Sequence, residues 1–385
     1  SAASDVYKRQ DVLHDTWRSL TEIKALQYFT VKSKNEDPQN SMMATIHCLG
    51  TGLVGSYVVR YLSERGHLIH AYDLDPSRVE GLRNVNTHRV DQNFSVEDIS
   101  SAEGSLALNM LPGAIGSVWT RALSERFPTI IDLSFSEITP NTSFLEADKI
   151  GTRILWDVGI APGLSNMLAS YAVRKMGNLS SLKIYVGGNP TEPIGEWKYM
   201  APFSPTDVLE EYTRPARILR NGLLDVVPAI TDRHIIEVPG YGRMEGFLTD
   251  GLRSLIETLP CSDMYEYTVR WPGHIQRFLD EVGDGSFDQE AAIQAWEHDD
   301  ETPEFTWLMV QAVSEEGEVM AWNLIDEGGK DGHSMARTTG LVTAICTEIL
   351  IENEDVVPPG VHPPEALPDY AVSRIITEMK SHGVI

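Results

Sequence analysis

Cysteine is scarce in this chain: Cys48, Cys261 and Cys346 are the only three in 385 residues. Three thiols give no disulfide framework and no metal cluster. Cys48 and Cys346 stand in apolar stretches, where a buried thiol is the expected reading, and a cytoplasmic setting follows from the same scarcity. Long apolar runs are missing too. Gly340–Ile351 is too short to span a bilayer and carries Glu348. No secretory signal is read at the polar start of the chain. Positive charge is the third deficit. Lys and Arg total 31 against 56 Asp and Glu, a net charge of −25, which disfavours nucleic acid and anionic membrane as partners. Such a surface attracts a cationic small molecule, or serves solubility alone. No His/Cys/Asp set has metal-ligand spacing, so no metal is expected. Internal repeats and low-complexity tracts are absent as well.

The length suffices for two cores, and 42% hydrophobic with 23% charged residues is a globular balance. The most informative stretch is Cys48-Leu-Gly-Thr-Gly-Leu-Val-Gly55. It follows an apolar run from Ala44 and opens an amphipathic one, with Val54, Val58, Tyr61 and Leu62 on one face and Gly66 as the stop. Asp73 closes the next apolar run. Strand, glycine turn, helix, strand and acid form the dinucleotide-binding arrangement. Gly50 allows the turn, Gly52 lets the backbone approach a pyrophosphate, and Gly55 lets helix and strand pack. The helix N-terminus offers N–H groups to phosphate. Asp73 would accept hydrogen bonds from the adenosine ribose and oppose a 2′-phosphate, so NAD is expected over NADP. Arg78 is the nearby cation that could reach such a phosphate.

Strands are expected at 44–49, 68–72, 85–90, 105–110, 129–133 and 152–156, alternating with helices: a Rossmann doubly wound parallel sheet. Ligands cross the carboxyl ends of such strands. The expected cofactor contacts are therefore Gly50, Thr51, Gly52, Leu53, Val54, Gly55, Asp73, Asp91, Asn109, Met110, Leu111 and Asp132. After Asp157 the pattern changes to a helix at 164–176 and strands at 181–187, 234–238, 265–270, 305–313 and 318–325, the last two joined by the hairpin signal Glu315-Glu316-Gly317. This predicts a second, α+β domain with a mixed sheet. Ser334–Ile351 is helical, 356–368 an extended proline-rich connection and 370–382 a final helix. The expected divisions are a non-native or disordered extension over 1–42, a Rossmann domain over 43–160, an α+β domain over 161–330, and a C-terminal segment over 331–385.

A second group of motifs resembles the saccharopine dehydrogenase family: Asp157-Val-Gly-Ile-Ala-Pro-Gly163, Glu196-Trp-Lys-Tyr199, Glu211-Tyr-Thr-Arg-Pro-Ala216, Arg220-Asn-Gly222, Phe247-Leu-Thr-Asp-Gly251, Arg270-Trp-Pro-Gly-His274, Met335-Ala-Arg-Thr-Thr-Gly340 and Gly360-Val-His-Pro-Pro-Glu365. The resemblance covers about residues 43–385 and is nearest to the lysine 6-dehydrogenase branch. It implies a homodimer, catalysis and dimerisation by the domain over 161–330, a C-terminal helix that returns to the Rossmann domain, and an amino-acid substrate held between the domains against the nicotinamide. The stretch between Gln276 and Glu304 is short and acidic and carries little of the family pattern.

Oxidising an amine with NAD requires a neutral nitrogen, hence a base or relay, and a cation for the amino-acid carboxylate. Arg220 and Arg270, both at turns, are candidate carboxylate clamps, or else interdomain ion-pair partners. Asp157 and His274 are candidate catalytic groups; a turn cap and a structural imidazole are the alternatives. Tyr199 and Tyr212 are candidate substrate donors, or buried packing residues. The leading expectation is an NAD-dependent L-lysine 6-dehydrogenase. Saccharopine or carboxynorspermidine dehydrogenase is the alternative enzyme, and a saccharopine site should present more arginines. A non-catalytic NAD(H)-binding sensor or scaffold is the alternative of another class.

Overall fold

The computed structural model describes residues 43–100, 105–143 and 151–384; the extension expected over 1–42 lies outside the described residues. Short, largely apolar segments build the first sheet: β1 (Thr45–Leu49), β2 (Leu68–Asp73), β3 (Val85–Arg89), β4 (Leu106–Asn109), β5 (Thr129–Asp132) and β6 (Arg153–Leu155). All pair in parallel, in the order β3-β2-β1-β4-β5-β6. Ile46, Cys48 and Leu49 of β1 are buried, as befits a strand covered on both faces. The order reverses between β1 and β4. There α1 (Leu53–Glu64) leaves β1 and α2 (Gly113–Ser124) leaves β4, which opens a crevice at their carboxyl ends.

The second half begins with α3 (Leu164–Met176), ended by Gly177 at φ +79°. Then follow β7 (Leu179–Pro190), α4 (Pro205–Thr213), β8 (Ala216–Arg220), β9 (Leu223–Val227), β10 (His234–Val238), β11 (Gly242–Leu248), β12 (Cys261–Arg270), α5 (His274–Asp284), α6 (Gln289–Ala295), β13 (Glu304–Ser314) and β14 (Val319–Asp326). The sheet runs β10-β11-β12-β7-β13-β14, with β8 joining β12 to β9. Only the β7–β12 pair is parallel, so the sheet is mixed as expected. Strands β8, β9 and β11 were not anticipated. The first two form a hairpin around Asn221 and Gly222, both at positive φ (52° and 76°), the backbone a two-residue turn of this hand demands. Tyr185, Met244, Tyr267, Val269, Phe305 and Trp307 form the core of this sheet.

The C-terminal segment returns to the first half. α7 (Ser334–Glu352) packs along α1, β15 (Gly360–His362) pairs in parallel with β6, and α8 (Asp369–Ser381) closes the chain. The stretch 356–368, expected as an extended connection, thus supplies a seventh strand to the parallel sheet. Packing on α7 also explains why α1 buries more than one face: Tyr57 and Tyr61 are covered as well as Val58 and Leu62. A Cβ at Gly340 would come within 2.6 Å of the Tyr57 ring, so the two helices approach closely only because that position is bare. Polar ties reinforce the contact. Tyr57 donates to Asp331 (2.9 Å), Tyr61 donates to Glu378 (2.9 Å), and buried His67 meets Glu348 (3.0 Å). No helix among the described residues is long and apolar enough to cross a membrane.

Candidate active site

A cleft of about 1240 Å³ runs across the carboxyl ends of the parallel strands and under the second sheet. Its nucleotide end is built by the glycine turn. Gly50 sits at φ +92°, and a Cβ there would lie 2.6 Å from the Met110 carbonyl oxygen. A Cβ at Gly55 would collide with the Gly50 carbonyl, while at Gly52 it would meet nothing within 4 Å. Two glycines therefore permit the backbone packing and the third leaves open space for a ligand. Helical bonding starts with Ser56 N–H donating to Gly52 (2.9 Å), so the preceding amides have no intrahelical acceptor. Asp73 braces the turn: its Oδ2 accepts from the Thr51 N–H (2.5 Å) and its Oδ1 from the Asp75 N–H (2.9 Å). Val90, Phe94 and Trp119 add an apolar wall.

Of the expected cofactor contacts, Gly50, Gly52, Leu53, Val54, Gly55, Asp73, Asp91, Met110 and Leu111 line this cleft. Thr51, Asn109 and Asp132 do not, and are corrected to supporting roles. Thr51 acts through its backbone on Asp73. Asn109 donates to the Gly116 carbonyl and to Thr120 Oγ1 (both 2.8 Å). The Thr120 hydroxyl donates to Asp132 (2.7 Å), which also accepts from the N–H and hydroxyl of Ser134. Burial pushes the Asp132 carboxyl up to about 6. This chain ties β4, α2 and β5 together beneath the crevice.

The other end of the cleft is acidic. Alternate residues of β12 share a face, which brings Glu266, Thr268 and Arg270 to the wall; α4 adds Asp207 and Glu211 four residues apart, and Thr249 and Gly251 follow β11. Glu266 Oε2 accepts from the Thr249 hydroxyl (2.5 Å) and the Gly251 N–H (3.2 Å), and burial raises its carboxyl to about 8. Burial lifts Glu211 to about 7, against the pull of Arg270, and lifts Asp207 to about 6, with Glu210 adding to the rise. Arg270 donates from Nη2 to Glu211 (3.1 Å), from Nη1 to the Val269 carbonyl (3.0 Å) and from Nε to Tyr212 (3.0 Å). Its guanidinium lies 4.6 Å from the Tyr199 ring centre.

Four expectations about this end need correction. Asp157 reaches the cleft wall, but Arg253 donates to both its oxygens (2.6 and 3.1 Å) and the pair is fully buried, so the carboxylate is engaged rather than free to act as a base. His274 stands behind the wall. Its Nδ1 meets the Trp197 carbonyl (2.8 Å), so Nδ1 carries the proton and Nε2 accepts from the Tyr212 hydroxyl (2.9 Å). Burial depresses this imidazole to about 3, and the neutral ring positions Tyr212 instead of relaying protons to substrate. Tyr199 and Tyr212 are both buried under Arg270 and hold it rather than facing a ligand. Arg220 lies at the exposed β8–β9 turn, paired with Asp225 (2.9 Å), away from the cleft. The acidic residues Asp207, Glu211 and Glu266 were missed. Their signal was present: Glu211 opens a quoted motif, and period-two counting along the expected strand 265–270 puts Glu266 and Thr268 on the face of Arg270.

A doubly wound parallel sheet joined to a mixed sheet, with the cleft between them, defines a Rossmann-like α/β protein. Residues 159–384 match the saccharopine dehydrogenase C-terminal domain, and the chain belongs to the saccharopine dehydrogenase family. It is 27% identical over 188 residues to the mitochondrial alpha-aminoadipic semialdehyde synthase of Rattus norvegicus, 45% of this chain and 20% of that protein. The Bos taurus protein of the same name is 26% identical over 209 residues, 50% of this chain and 22% of that one. The matched region thus spans about a fifth of these relatives' length. In three dimensions the chain is similar to apo saccharopine dehydrogenase (L-Glu forming) of Saccharomyces cerevisiae, with a TM-score of 0.67, 14% identity, and coverage of 89% of this chain and 98% of the other. It is also similar to the homospermidine synthase of Legionella pneumophila solved with NAD: TM-score 0.63, 12% identity, 87% and 89% coverage. At these identities the likeness shows the fold.

The corrected geometry separates two arginines by stability. Arg253→Ala leaves a buried carboxylate unpaired and should cost about 3–5 kcal/mol. Arg220→Ala removes an exposed pair and should leave stability nearly unchanged. Denaturant unfolding of both variants checks this; equal midpoints would contradict it.

Proposed function

We propose that the protein is an NAD-dependent dehydrogenase acting on an amino-acid C–N bond, and that its reaction is the oxidative deamination of the ε-amino group of L-lysine. The observation that supports this best is the charge balance at the second-sheet end of the cleft. Asp207, Glu211 and Glu266 line that end together with Arg270, the one arginine there among the described residues. Lysine brings one carboxylate and two ammonium groups, which suits one guanidinium among three acids. Saccharopine brings more carboxylates and would need more cations. The names of the relatives, saccharopine dehydrogenase and homospermidine synthase, support amine chemistry as the class.

NAD bound on the glycine turn would accept the hydride from the carbon bearing nitrogen. The chain's residues do the rest. Three of the five N–H groups of Arg270 are held by Tyr212, Val269 and Glu211, leaving two to grip the substrate carboxylate. Among the described residues both hydrogen bonds to this carboxyl go to Oε2, and none is made to Glu266 Oε1. With its carboxyl raised to about 8, Glu266 is basic enough to take the proton from the ε-ammonium and free the lone pair that drives hydride loss. Water then adds to the imine and ammonia leaves. Glu211, fixed to Arg270, orients the clamp.

Expectations follow for the substrate, the pH dependence and the cofactor. NAD reduction measured with lysine, ornithine, saccharopine and carboxynorspermidine should be fastest with lysine, and kcat/KM should fall as pH drops below about 8 because Glu266 takes up a proton. Glu266→Gln should lower the rate by roughly 10²–10⁴ and abolish that acid limb. Preference for saccharopine, or an unchanged limb in the variant, would overturn the reading; NADH binding with no amine-dependent turnover would favour the sensor alternative. For the cofactor, Asp73 opposes a 2′-phosphate, so NAD should be used in preference to NADP. Asp73→Ala should weaken NAD binding and narrow that preference in steady-state assays, and an unaltered enzyme that favours NADP would refute it.

A further inference from the structure

Away from the acidic end, the rim of the nucleotide cleft gathers two histidines and an aspartate that play no part in the chemistry above. His298 and Asp300 lie on the loop between α6 and β13, and His333 immediately precedes α7. His298 lines the main cleft, and Asp300 and His333 line a smaller adjoining pocket of about 460 Å³. Asp300 Oδ1 stands 3.4 Å from His298 Nε2 and 3.3 Å from His333 Nε2. One ligand atom from each residue can be chosen so that all three lie within 4.8 Å of one another. In a tetrahedral site with bonds of about 2.0–2.1 Å, neighbouring ligand atoms are about 3.3–3.4 Å apart. Two edges of the triangle already have that length.

The second observation is His298 itself. Its side chain is only 8% exposed, yet neither ring nitrogen has a hydrogen-bond partner among the described residues. A buried imidazole with both nitrogens unpartnered is costly to leave so, and this one points a nitrogen into the cluster. Arg78 Nη1, 3.7 Å from the same Asp300 oxygen, is the only other charged group within ion-pair reach of Asp300 among the described residues. It is too loosely placed to satisfy the histidines and, being a cation, offers them no acceptor.

We propose that His298, Asp300 and His333 form a binding site for a divalent transition-metal ion of the zinc class, with a coordination position left open at the rim of the nucleotide cleft. Two imidazoles and one carboxylate are borderline donors that suit such ions over magnesium or calcium. The metal would fasten the loop before β13 to the start of α7 and displace Arg78 from Asp300. The expectation that the chain holds no metal rested on spacing along the sequence; here the fold brings His333 to a pair more than thirty positions earlier.

The test is calorimetric titration of the full chain, stripped with chelator, with Zn²⁺ alone, followed by Co²⁺ substitution and visible absorption. One saturable equivalent is expected, with the d–d spectrum of a low-symmetry, four- or five-coordinate site. His333→Ala, at a third-exposed position, and His298→Gln should each weaken binding by roughly tenfold or more, since even outer-shell partners of metal ligands carry about that much. Far-UV circular dichroism confirms that both variants fold, and if His298→Gln does not, His333→Ala alone decides. Absence of saturable binding, or an affinity unchanged in His333→Ala, would overturn the proposal and assign any uptake to the acidic surface.

Discussion

Three carboxyl groups share the water-poor end of the cleft with one guanidinium, and much of the site is arranged around their desolvation. Asp207, Glu211 and Glu266 have little solvent and few donors, so burial raises all three carboxyls, to about 6, 7 and 8. A buried acid that is not fully compensated is a place where a cation binds well. Among the described residues no second arginine lines that end. Arg253, Arg214 and Arg217 sit nearby but are committed to Asp157, Glu210 and Asp250.

Arg270 can serve among these acids because it is held from behind. The Trp197 carbonyl fixes the His274 tautomer, His274 Nε2 accepts a hydrogen bond from the Tyr212 hydroxyl, and the Tyr212 oxygen in turn accepts from Arg270 Nε. Each link determines the next, so the guanidinium plane is set before any ligand arrives. At the opposite end the same logic is written in backbone. Gly55 against the Gly50 carbonyl sets the helix N-terminus, and Asp73 holds the turn through Thr51. Between the two ends, α7 pressed on α1 ties the C-terminal segment to the nucleotide-binding half.

Much of this was legible along the chain. The parallel strands, the glycine turn and Asp73 follow from periodicity and from residues that only one local geometry accommodates. What escaped was short or assembled from afar. β11 carries two glycines in seven residues, β15 is three residues among prolines, and β9 exposes Leu223, Leu224 and Val226, so none shows a clean half-buried alternation. Asn221-Gly222 was recognised as a turn, yet a turn alone does not say which way its arginine points; strand register does, and it separates Arg270 from Arg220. Asp157 and His274 look like catalytic groups by type and place, but their partners Arg253 and Tyr212 lie some sixty to a hundred positions away. The His298–Asp300–His333 cluster has no sequence spacing to betray it.

The central claim is that desolvated, partly protonated carboxyls await a cationic amino acid. It is tested most directly by calorimetry of L-lysine binding to the NADH-loaded protein near pH 7, repeated in buffers of different ionisation enthalpy. An ammonium brought among these acids lowers their pKa values, so binding should release about one proton into the buffer. Lysine binding with no proton release would contradict the account.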